Sequence, residues 1–467
     1  MTSMQRRLPL ATLLALAFCS CTAQTQAPAQ RDADAENAAR TPPMNAPAPH
    51  IRGQNCAAYT KVAPARGSRE YTVDTASGRD SNRGSAAHPF KTVQKAASLV
   101  KAGDVVTIRA GTYTGLVYLT RSGAAGSPIV FQAYQCGQAV FTGNTGFYPQ
   151  VFASWGNNVC LPKFPVQHDV TLSGLTFKNT TNGPVGKYSA VILATDNWRI
   201  NNVLIDGAAD LEVNVRGSGV IIEQSTFMHG TSHSLVGCGG NTIVRNVINA
   251  HNVTATAARA CGNSCSIKFL FTDHMLVDNI ESYGNNGPGW WFDAQNKNFT
   301  VQNSYFHNNT GMGFFDEISD GPGLIQNNTF DHNEMDLAIG ESQNVTVINN
   351  VFNGGSDVPF EFRTMTNRCQ VSSGGTCTKY YWLKNLTIHN NKVKAWTHVL
   401  IHNGAVSSNP RWASPPFQTL NIQMDYNTYW PTTSNSWILW QSEPSIKSFS
   451  AFQSTLGVEA HGSQTPF

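Results

Sequence analysis

An asparagine recurs along most of this 467-residue chain at a nearly constant interval. The commonest interval is 22 to 24 residues, and short alternating runs such as Thr-Val-Gln-Asn and Thr-Val-Ile-Asn end on it. The members of this asparagine column are Asn202, Asn246, Asn279, Asn303, Asn327, Asn349 and Asn390, with Gly174 and Gln224 as weaker members. A period of about two dozen residues indicates a repeat architecture. Because β-branched residues alternate between turn residues, the repeats are typical of strands and not of helices.

Short strands joined by turns within such a period are what a parallel β-helix needs, since each coil buries its apolar side chains against the next. Asparagine suits the turn because it tolerates the backbone there and its amide bonds to its neighbours. We therefore predict a β-helix from about Tyr71 onward, with a ladder at one turn formed by Asn279, Asn303, Asn327 and Asn349. Apolar residues at helical spacing between Lys91 and Val100 predict a helix that caps the open N-terminal end.

The N-terminal residues predict export. In residues 1–23 two arginines precede an apolar run over 8–18 that is too short to span a bilayer. Cys21 fits a bacterial lipoprotein site, whereas residues 21–23 equally suit ordinary signal peptidase, so both forms of cleavage stay open. The prediction is a periplasmic protein, an outer-membrane lipoprotein or a secreted protein of a bacterium.

The remaining chain divides into a polar linker and one large domain. Residues 24–66 begin with a stretch rich in Ala, Pro and Gln without apolar periodicity, which predicts a disordered tether. Residues 67–467 are predicted to be a single catalytic β-helix domain. The net charge is +3 with scattered Lys and Arg, which gives no sign of nucleic-acid binding and leaves a lipid anchor at Cys21 as the one membrane link. We expect a monomer.

Cysteine usage also fits export. Eight of the ten cysteines follow the export signal, and an even number in an exported chain favours disulfides over metal binding. Zinc is the weaker alternative because the chain has no Cys-x-x-Cys pair. We predict the local bridges Cys261–Cys265 and Cys369–Cys377. The other four cysteines are predicted to form two more bridges with the pairing left open: Cys56, Cys136, Cys160 and Cys238.

Two consecutive repeats carry a carboxylate at the same place. Asp293 and Glu317 each lie ten residues before the closing asparagine of their repeat, Asn303 and Asn327. Equivalent positions on adjacent coils lie about 4.8 Å apart, and retaining glycosidases hold their two carboxyls roughly 5–5.5 Å apart. Outward-facing acids can also be plain solvated surface. However, charged residues make up only 13% of the chain and like charges on adjacent strands are destabilising, which favours a use for this pair.

Polar and aromatic residues near the pair predict a groove for an oligosaccharide. Trp291 and Phe315 precede the two carboxylates by two positions, so strand alternation predicts exposed rings on the same face. Glu361 and His402 are expected to continue the carboxylate column, with Arg363 beside them, and Glu341 is a third candidate acid. The residues predicted to bind substrate are Trp291, Phe315, Lys268, Glu341, Glu361, Arg363 and His402.

The beginning of the domain resembles a known group of enzymes. Ser-Gly-Arg-Asp-Ser-Asn-Arg-Gly, His-Pro-Phe-Lys-Thr-Val-Gln-Lys-Ala and Gly-Asp-Val-Val-Thr-Ile-Arg-Ala-Gly-Thr-Tyr, within residues 71–143, resemble the opening of secreted right-handed β-helix carbohydrate-active enzymes. These include pectate-lyase-like lyases, uronan epimerases and some glycosidases. The fold class that we predict is thus all-β: a single-stranded right-handed parallel β-helix, a pectate-lyase-like solenoid, with an N-terminal capping helix.

A second resemblance covers the carboxylate pair. Trp-Phe-Asp at 291–293 and Phe-Asp-Glu-Ile at 315–318, followed by Gly-Pro and Ile-Gln-Asn-Asn, resemble the catalytic repeats of the β-helix β-xylosidases of glycoside hydrolase family 120. That resemblance implies a nucleophile role for Asp293 and an acid/base role for Glu317. The chain departs from that family at Asp316, where an apolar residue is usual, and at residues 318–320.

Three functions follow from these features as predictions. The first is a retaining glycoside hydrolase that acts on polysaccharide or oligosaccharide without a cofactor. The second is a lyase or epimerase acting on a uronic-acid polymer, with Lys268 as the base and Arg363 neutralising the carboxylate, or with calcium bound by Asp273, Asp278 or Asp293. The third is a non-catalytic surface protein that binds glycans in the same groove.

Overall fold

Three parallel sheets wind around one axis and enclose a single long core. The structure, a computed structural model, describes residues 52–149, 166–181, 190–253, 266–354, 356–364, 368–371, 377–394, 396–403, 415–431, 436–440 and 446–467. Each coil contributes one strand to each sheet in turn, as in the succession Leu276–Asp278, Glu281–Tyr283 and Trp290–Asp293. The predicted parallel β-helix is therefore confirmed.

In the part of the chain that the structure describes, sheet 1 has thirteen parallel strands, each paired with the equivalent strand of the next coil. Its strands are Glu70–Val73, Val105–Ile108, Ile129–Ala133, Val170–Ser173, Arg199–Asn201, Ile221–Glu223, Ile243–Arg245, Leu276–Asp278, Phe299–Gln302, Gly323–Gln326, Gln343–Ile348, Lys384–His389 and Ile422–Asp425. The asparagine column follows this sheet, so the repeat seen in the sequence is the coil of the fold.

Sheets 2 and 3 are two ladders joined by the long strand Ala139–Pro149, which pairs into both. Sheet 2 consists of Gly111–Leu119, Ala139–Pro149, Thr176–Thr181, Leu204–Asp206, Thr226–Met228, Ile248–Ala250, Glu281–Tyr283, Tyr305–His307, Thr329–Asp331, Val351–Phe352, Lys392–Lys394, Thr428–Trp430 and Ser463–Gln464. Sheet 3 continues from Ala139–Pro149 with Ala190–Ala194, Leu211–Val215, Leu235–Gly237, Ile267–Leu270, Trp290–Asp293, Met312–Glu317, Met335–Gly340, Val358–Arg363, Val399–Asn403 and Ser436–Leu439.

The core is a set of stacked columns, since in-register coils place like residues above one another. One column contains Phe306, Phe330 and Phe352, whose successive ring centroids are 5.4 and 4.9 Å apart. Such offset ring pairs add stabilisation to the apolar area that they bury. Alternation places every second residue of each strand in this core and the others outside, which decides the side chains that the outer faces can offer.

The asparagine column lies at the turn after sheet 1. Asn279, Asn303, Asn327 and Asn349 all have positive φ angles between 51° and 58°, a left-handed conformation that asparagine tolerates well. Within this column Asn279 donates to Asn246. From Asn328 onward the amides that bond from coil to coil at this turn lie one position later, in a buried ladder that the sequence analysis missed. This ladder runs through Asn328, Asn350, Asn391 and Asn427, with amide-to-amide distances of 2.9 to 3.0 Å.

Helices are few in the described residues, and the predicted N-terminal helix is shorter than expected. It spans Val93–Ala97, with Thr92 as its N-cap, and its apolar side chains join the main core. Its role as a cap stays a prediction. A 3-10 helix spans Phe417–Leu420 and an α-helix spans Phe449–Leu456. None of the helices in the described ranges is long and apolar enough to cross a membrane.

The segment 52–66 lies along the body, which differs from the predicted tether over that range. Arg52 donates to Asn279, Gly53 donates to the carbonyl of Asn246, and the Tyr59 hydroxyl donates to the carbonyl of Ala133. A disulfide between Cys56 and Cys136 fixes it covalently. A stretch without apolar periodicity can thus be ordered by amide contacts with the turns that it crosses.

The predicted bridge Cys369–Cys377 is confirmed, and Cys56–Cys136 is one of the bridges whose partners were left open. Cys238 is also disulfide-bonded. The predicted pair Cys261–Cys265, like Cys160, lies outside the described residues. Disulfides fit the export that the N-terminal sequence predicts.

Candidate active site

Asp293 and Glu317 are register partners on neighbouring strands of sheet 3. Each carboxylate is the last residue of its strand, Trp290–Asp293 or Met312–Glu317. Neighbouring strands lie about 4.8 Å apart, so the two residues stand side by side where their strands enter the following turn. The predicted register of the pair is confirmed, whereas the chemical roles stay a prediction.

The pair shares the outer face of sheet 3 with two aromatic rings. Trp291 and Phe315 form an apolar cluster with Ala338 that is separate from the main core, and their ring centroids lie 5.5 Å apart in a stacked arrangement. Phe292, between Trp291 and Asp293, points into the main core. The same-face prediction therefore holds for both rings.

The expectation of exposed aromatics was wrong. Trp291 is 6% exposed and Phe315 is 4% exposed. The ammonium of Lys268 lies 3.4 Å from the centroid of the Trp291 ring, and the guanidinium of Arg363 lies 4.8 Å from that of Phe315. Cations stabilise aromatic faces in this position, so the rings form the floor on which charged side chains rest.

Lys268 connects this floor to the carboxylates. Its strand position is in register with Trp291, and Leu270 is the residue in register with Asp293. The lysine side chain nevertheless reaches along the strand, and its Nζ lies 2.8 Å from Oδ2 of Asp293. The ammonium balances the charge of the Asp293 carboxylate at a site where lysine and aspartate are both largely buried.

Arg368 is a site residue that the sequence analysis missed. Its Nη1 lies 2.6 Å from Oε1 of Glu317 and 3.1 Å from Oε2 of Glu341. Burial lowers the pKa of Arg368, but the charges of Glu317 and Glu341 outweigh burial and raise it above its usual range. The guanidinium thus stays charged beside both carboxylates.

A short hairpin carries Arg368 to the site. Strands Cys369–Val371 and Cys377–Tyr380 are antiparallel and closed by the disulfide Cys369–Cys377. At its base the Tyr381 amide donates to the Arg368 carbonyl at 3.0 Å. Lys379 forms an ion pair with Asp320, and Gln295 donates to the Tyr381 hydroxyl. The hairpin therefore rests on the turns that follow both Glu317 and Asp293.

The other predicted residues form a second polar group farther along the sheet. Arg363 Nε lies 3.2 Å from Oε1 of Glu361, and the His402 ring bonds to Oε2 of the same carboxylate. Glu361 and His402 continue the column of Phe315 and Ala338. Their expected place in the carboxylate column was wrong by two positions. Asp293 and Glu317 lie 14 residues after the asparagine of the preceding turn, whereas Glu361 and His402 lie only 12 residues after theirs.

Arg363 is the residue that does continue the carboxylate column. Glu317 is in register with Gly340, and Gly340 with Arg363. Glu341 comes directly after this column, at the start of the turn, and is 2% exposed. The outer face of sheet 3 and the turn that follows Gly340 therefore bring together all seven predicted binding residues, although in two groups.

Asp316 lies on the opposite side of the strand from its neighbour Glu317. It continues the inward column of Phe292 and Ile339 and is completely buried. Burial raises the pKa of Asp316 to about 7. The hydroxyls of Ser319 and Ser342 lower that pKa in part, but neither completes a well-formed hydrogen bond to the carboxyl.

The aspartates proposed for calcium do not converge. Asp278 belongs to sheet 1 and accepts hydrogen bonds from Gln302 and Asn303, and Asp273 pairs with Lys297. Asp293 lies on sheet 3 beside Lys268. In the described part of the chain, no three His, Cys, Asp or Glu side chains are grouped so that they could hold a metal ion.

Comparisons with known proteins agree with this architecture. The family model described as a right-handed β-helix region matches residues 189–352, which include both carboxylates. The uncharacterized protein YwoF of Bacillus subtilis (strain 168) is 32% identical over 122 residues, which are 26% of this chain. Those residues span 25% of YwoF, so the match covers about a quarter of that relative.

Solved structures show the same fold at low sequence identity. The complex of XylC with xylose is similar with a TM-score of 0.56 and 14% identity over 79% of this chain and 85% of XylC. A mannuronic acid specific polysaccharide family 6 lyase from human gut microbiota gives a TM-score of 0.54 and 14% identity, with 84% of each chain covered. The chain is thus a right-handed parallel β-helix, a fold that it shares with carbohydrate-active enzymes.

Proposed function

We propose that this protein is an exported retaining glycoside hydrolase that cleaves polysaccharide or oligosaccharide. The observation that carries the proposal is the in-register pair Asp293 and Glu317 on the outer face of sheet 3. Stacked strands give two carboxylates the close spacing that retaining enzymes use, which is roughly 5–5.5 Å. The aromatic floor and the polar residues around it suit a sugar-binding surface.

In the proposed reaction Asp293 attacks the anomeric carbon, while Glu317 gives its proton to the oxygen of the leaving group. A covalent glycosyl-Asp293 intermediate forms and the glycosidic bond breaks. Glu317 then takes a proton from water, and the oxygen of that water displaces Asp293 from the sugar. The two inversions together retain the configuration of the anomeric carbon.

Lys268 supports the nucleophile in this scheme. Its ammonium is held between the Trp291 ring and Oδ2 of Asp293, so one carboxylate oxygen is bound and the other is left to attack. Glu341, Glu361, Arg363 and His402 would line the continuation of the groove. We propose that they contact sugar hydroxyls.

The test compares two variants on two kinds of substrate. Glu317→Gln should lose most turnover on natural glycosides but keep the first step on aryl glycosides with good leaving groups, since these need no acid. Asp293→Asn should lose activity on both, because it lacks the nucleophile. Azide should partly rescue Glu317→Ala and yield a glycosyl azide of retained configuration. Asp206→Asn, on sheet 2, is the matched control.

Full activity of both variants would contradict the proposal, and so would an inverted product seen by proton NMR at early times. A glycan array with mass detection identifies the substrate in the same experiment. Binding to a glycan without any product would instead support the non-catalytic surface protein.

A lyase or epimerase is the second candidate, favoured by the cations at the site. Lys268 and Arg368 lie beside the two carboxylates, and Arg363 lies on the same face. A base and a group that neutralises a uronate carboxylate are what that chemistry needs. An unsaturated, ultraviolet-absorbing product, or loss of activity on chelation, would support this candidate.

A further inference from the structure

Arg368 occupies a position between two carboxylates of consecutive coils. It contacts Glu317 at 2.6 Å and Glu341 at 3.1 Å through the same nitrogen, Nη1. The side chains of Arg368, Glu317 and Glu341 are 19%, 11% and 1% exposed. At such low exposure charges are weakly screened by solvent. The electrostatic interaction of each carboxylate therefore depends strongly on its distance from the guanidinium.

Other charged and titratable side chains also surround Glu317. Asp293 is its register partner on one side and is itself paired with Lys268. Arg363 lies two strands away in the same column, above the Phe315 ring. Asp316 lies beneath, in the core. Arg368 forms an ion pair with Glu317 and also pairs with Glu341.

We infer that Arg368 is a positioning residue that divides one positive charge between Glu317 and Glu341, and that the disulfide-closed hairpin sets this division. A guanidinium that formed its ion pair with Glu317 alone would keep that carboxyl ionised and unable to donate a proton. Glu341 draws part of the charge away and leaves Glu317 able to carry the proton. The inference rests on the proposed function, because it assigns Glu317 the acid/base role.

The hairpin is built to hold Arg368 in one place. A disulfide links its two strands. Lys379 pairs with Asp320 and Tyr381 bonds to Gln295. Both of these partners lie in the turns that follow the strands of Glu317 and Asp293. Arg368 is the residue directly before the disulfide cysteine Cys369. A shift of the hairpin would therefore change the distances from the guanidinium to Glu317 and to Glu341.

Two substitutions should move the pH profile in opposite directions. Arg368→Met removes the cation, so Glu317 keeps its proton to higher pH, and the descending limb of kcat/KM should shift upward by about one to three pH units. In Glu341→Gln the guanidinium of Arg368 keeps an ion pair with Glu317 alone, so the same limb of kcat/KM should shift to lower pH. Arg368→Lys should return the limb most of the way to that of the wild type.

A purely structural role would not give opposite shifts, since it would lower activity without moving the limb in either direction. Shifts of equal sign, or no shift in either variant, would overturn the inference. Arg199→Met is the matched control, because Arg199 also pairs with a buried glutamate, Glu223, but on sheet 1. Circular dichroism and the melting temperature check that each variant is folded.

The double substitution Cys369→Ser with Cys377→Ser tests the hairpin. It should shift the descending limb upward, as Arg368→Met does but by less. An unchanged profile would overturn the assignment of the hairpin. Wild-type protein that releases no product of retained configuration would refute the proposed function itself. Retaining activity whose limb ignores both Arg368→Met and Glu341→Gln would refute only the inference.

Discussion

Replacement of the buried Asp316 by asparagine should change how stability depends on pH. Folding moves this carboxyl from water into the core, which raises its pKa from 3.8 to about 7. Between those values the folded protein holds a proton that the unfolded chain has released, so a rise in pH favours unfolding. The stabilisation is fully present below the unfolded pKa and is lost as the pH rises toward the folded pKa.

The size of the effect follows from the shift. A shift of about three pKa units corresponds to about 4 kcal/mol, at about 1.4 kcal/mol for each unit. The asparagine side chain in Asp316→Asn would keep the shape but would not titrate, and the burial of its amide costs an amount that does not depend on pH. The free energy of unfolding of the wild type, relative to Asp316→Asn, should therefore fall by about 4 kcal/mol between about pH 4 and about pH 8.

Urea unfolding followed by tryptophan fluorescence at a series of pH values measures this difference. The comparison of two proteins cancels other buried acids such as Asp336, whose pKa burial also raises to about 7. The exposed change Asn385→Ala, which removes no ionisable group, is the control and should give a difference without this dependence. A difference between wild type and Asp316→Asn that stays constant over the whole series would refute the reasoning.

Three further predictions concern the site and the framework. Lys268→Met should lower kcat/KM by about 10- to 100-fold, since a hydrogen bond to a charged group is lost, whereas a lyase that uses Lys268 as its base would lose all activity. Asn350→Ala breaks the buried amide ladder and should lower the free energy of unfolding by about 1–3 kcal/mol, measured against the exposed Asn385→Ala. Cys56→Ser with Cys136→Ser opens a loop of 80 residues and should cost about 4 kcal/mol, seen as a lower melting temperature; an unchanged value would contradict it.

The coil of this fold was predictable because its signal is local and repeated. An asparagine every 22 to 24 residues fixes the turn, and the same count places Asp293 beside Glu317. The buried ladder one position later was missed because in the earlier repeats that position is occupied by Val203, Ser225, Val247, Ile280 or Ser304. The column becomes asparagine only from Asn328 onward, so it has no period over the whole chain.

The parts of the site that could not be predicted arise from insertions. Arg368 belongs to the long interval between Asn349 and Asn390, where the repeat gives no register. Its contact with Glu317 depends on how the hairpin folds back onto the site. In the sequence, the pair Cys369 and Cys377 indicated only that a disulfide closes a loop in this interval. The burial of Trp291 was missed for a different reason, which is the position of a neighbouring side chain. Strand alternation gives the face of a ring, but only the structure shows that Lys268 lies over it.

The segment 52–66 should change the order in which the coils of this β-helix unfold. It runs along the axis against the direction of winding: Val62 contacts Gln132, Gln54 contacts Asn202 and Arg52 contacts Asn279. A stack of coils alone behaves as a one-dimensional array, in which each unit is coupled to its two neighbours and the ends can peel off singly. A strap across six successive strands of sheet 1, from Ile129–Ala133 to Leu276–Asp278, couples distant units directly. The N-terminal half should therefore open as one cooperative block, and amide exchange there should be slower and more uniform than in the coils beyond Asn279.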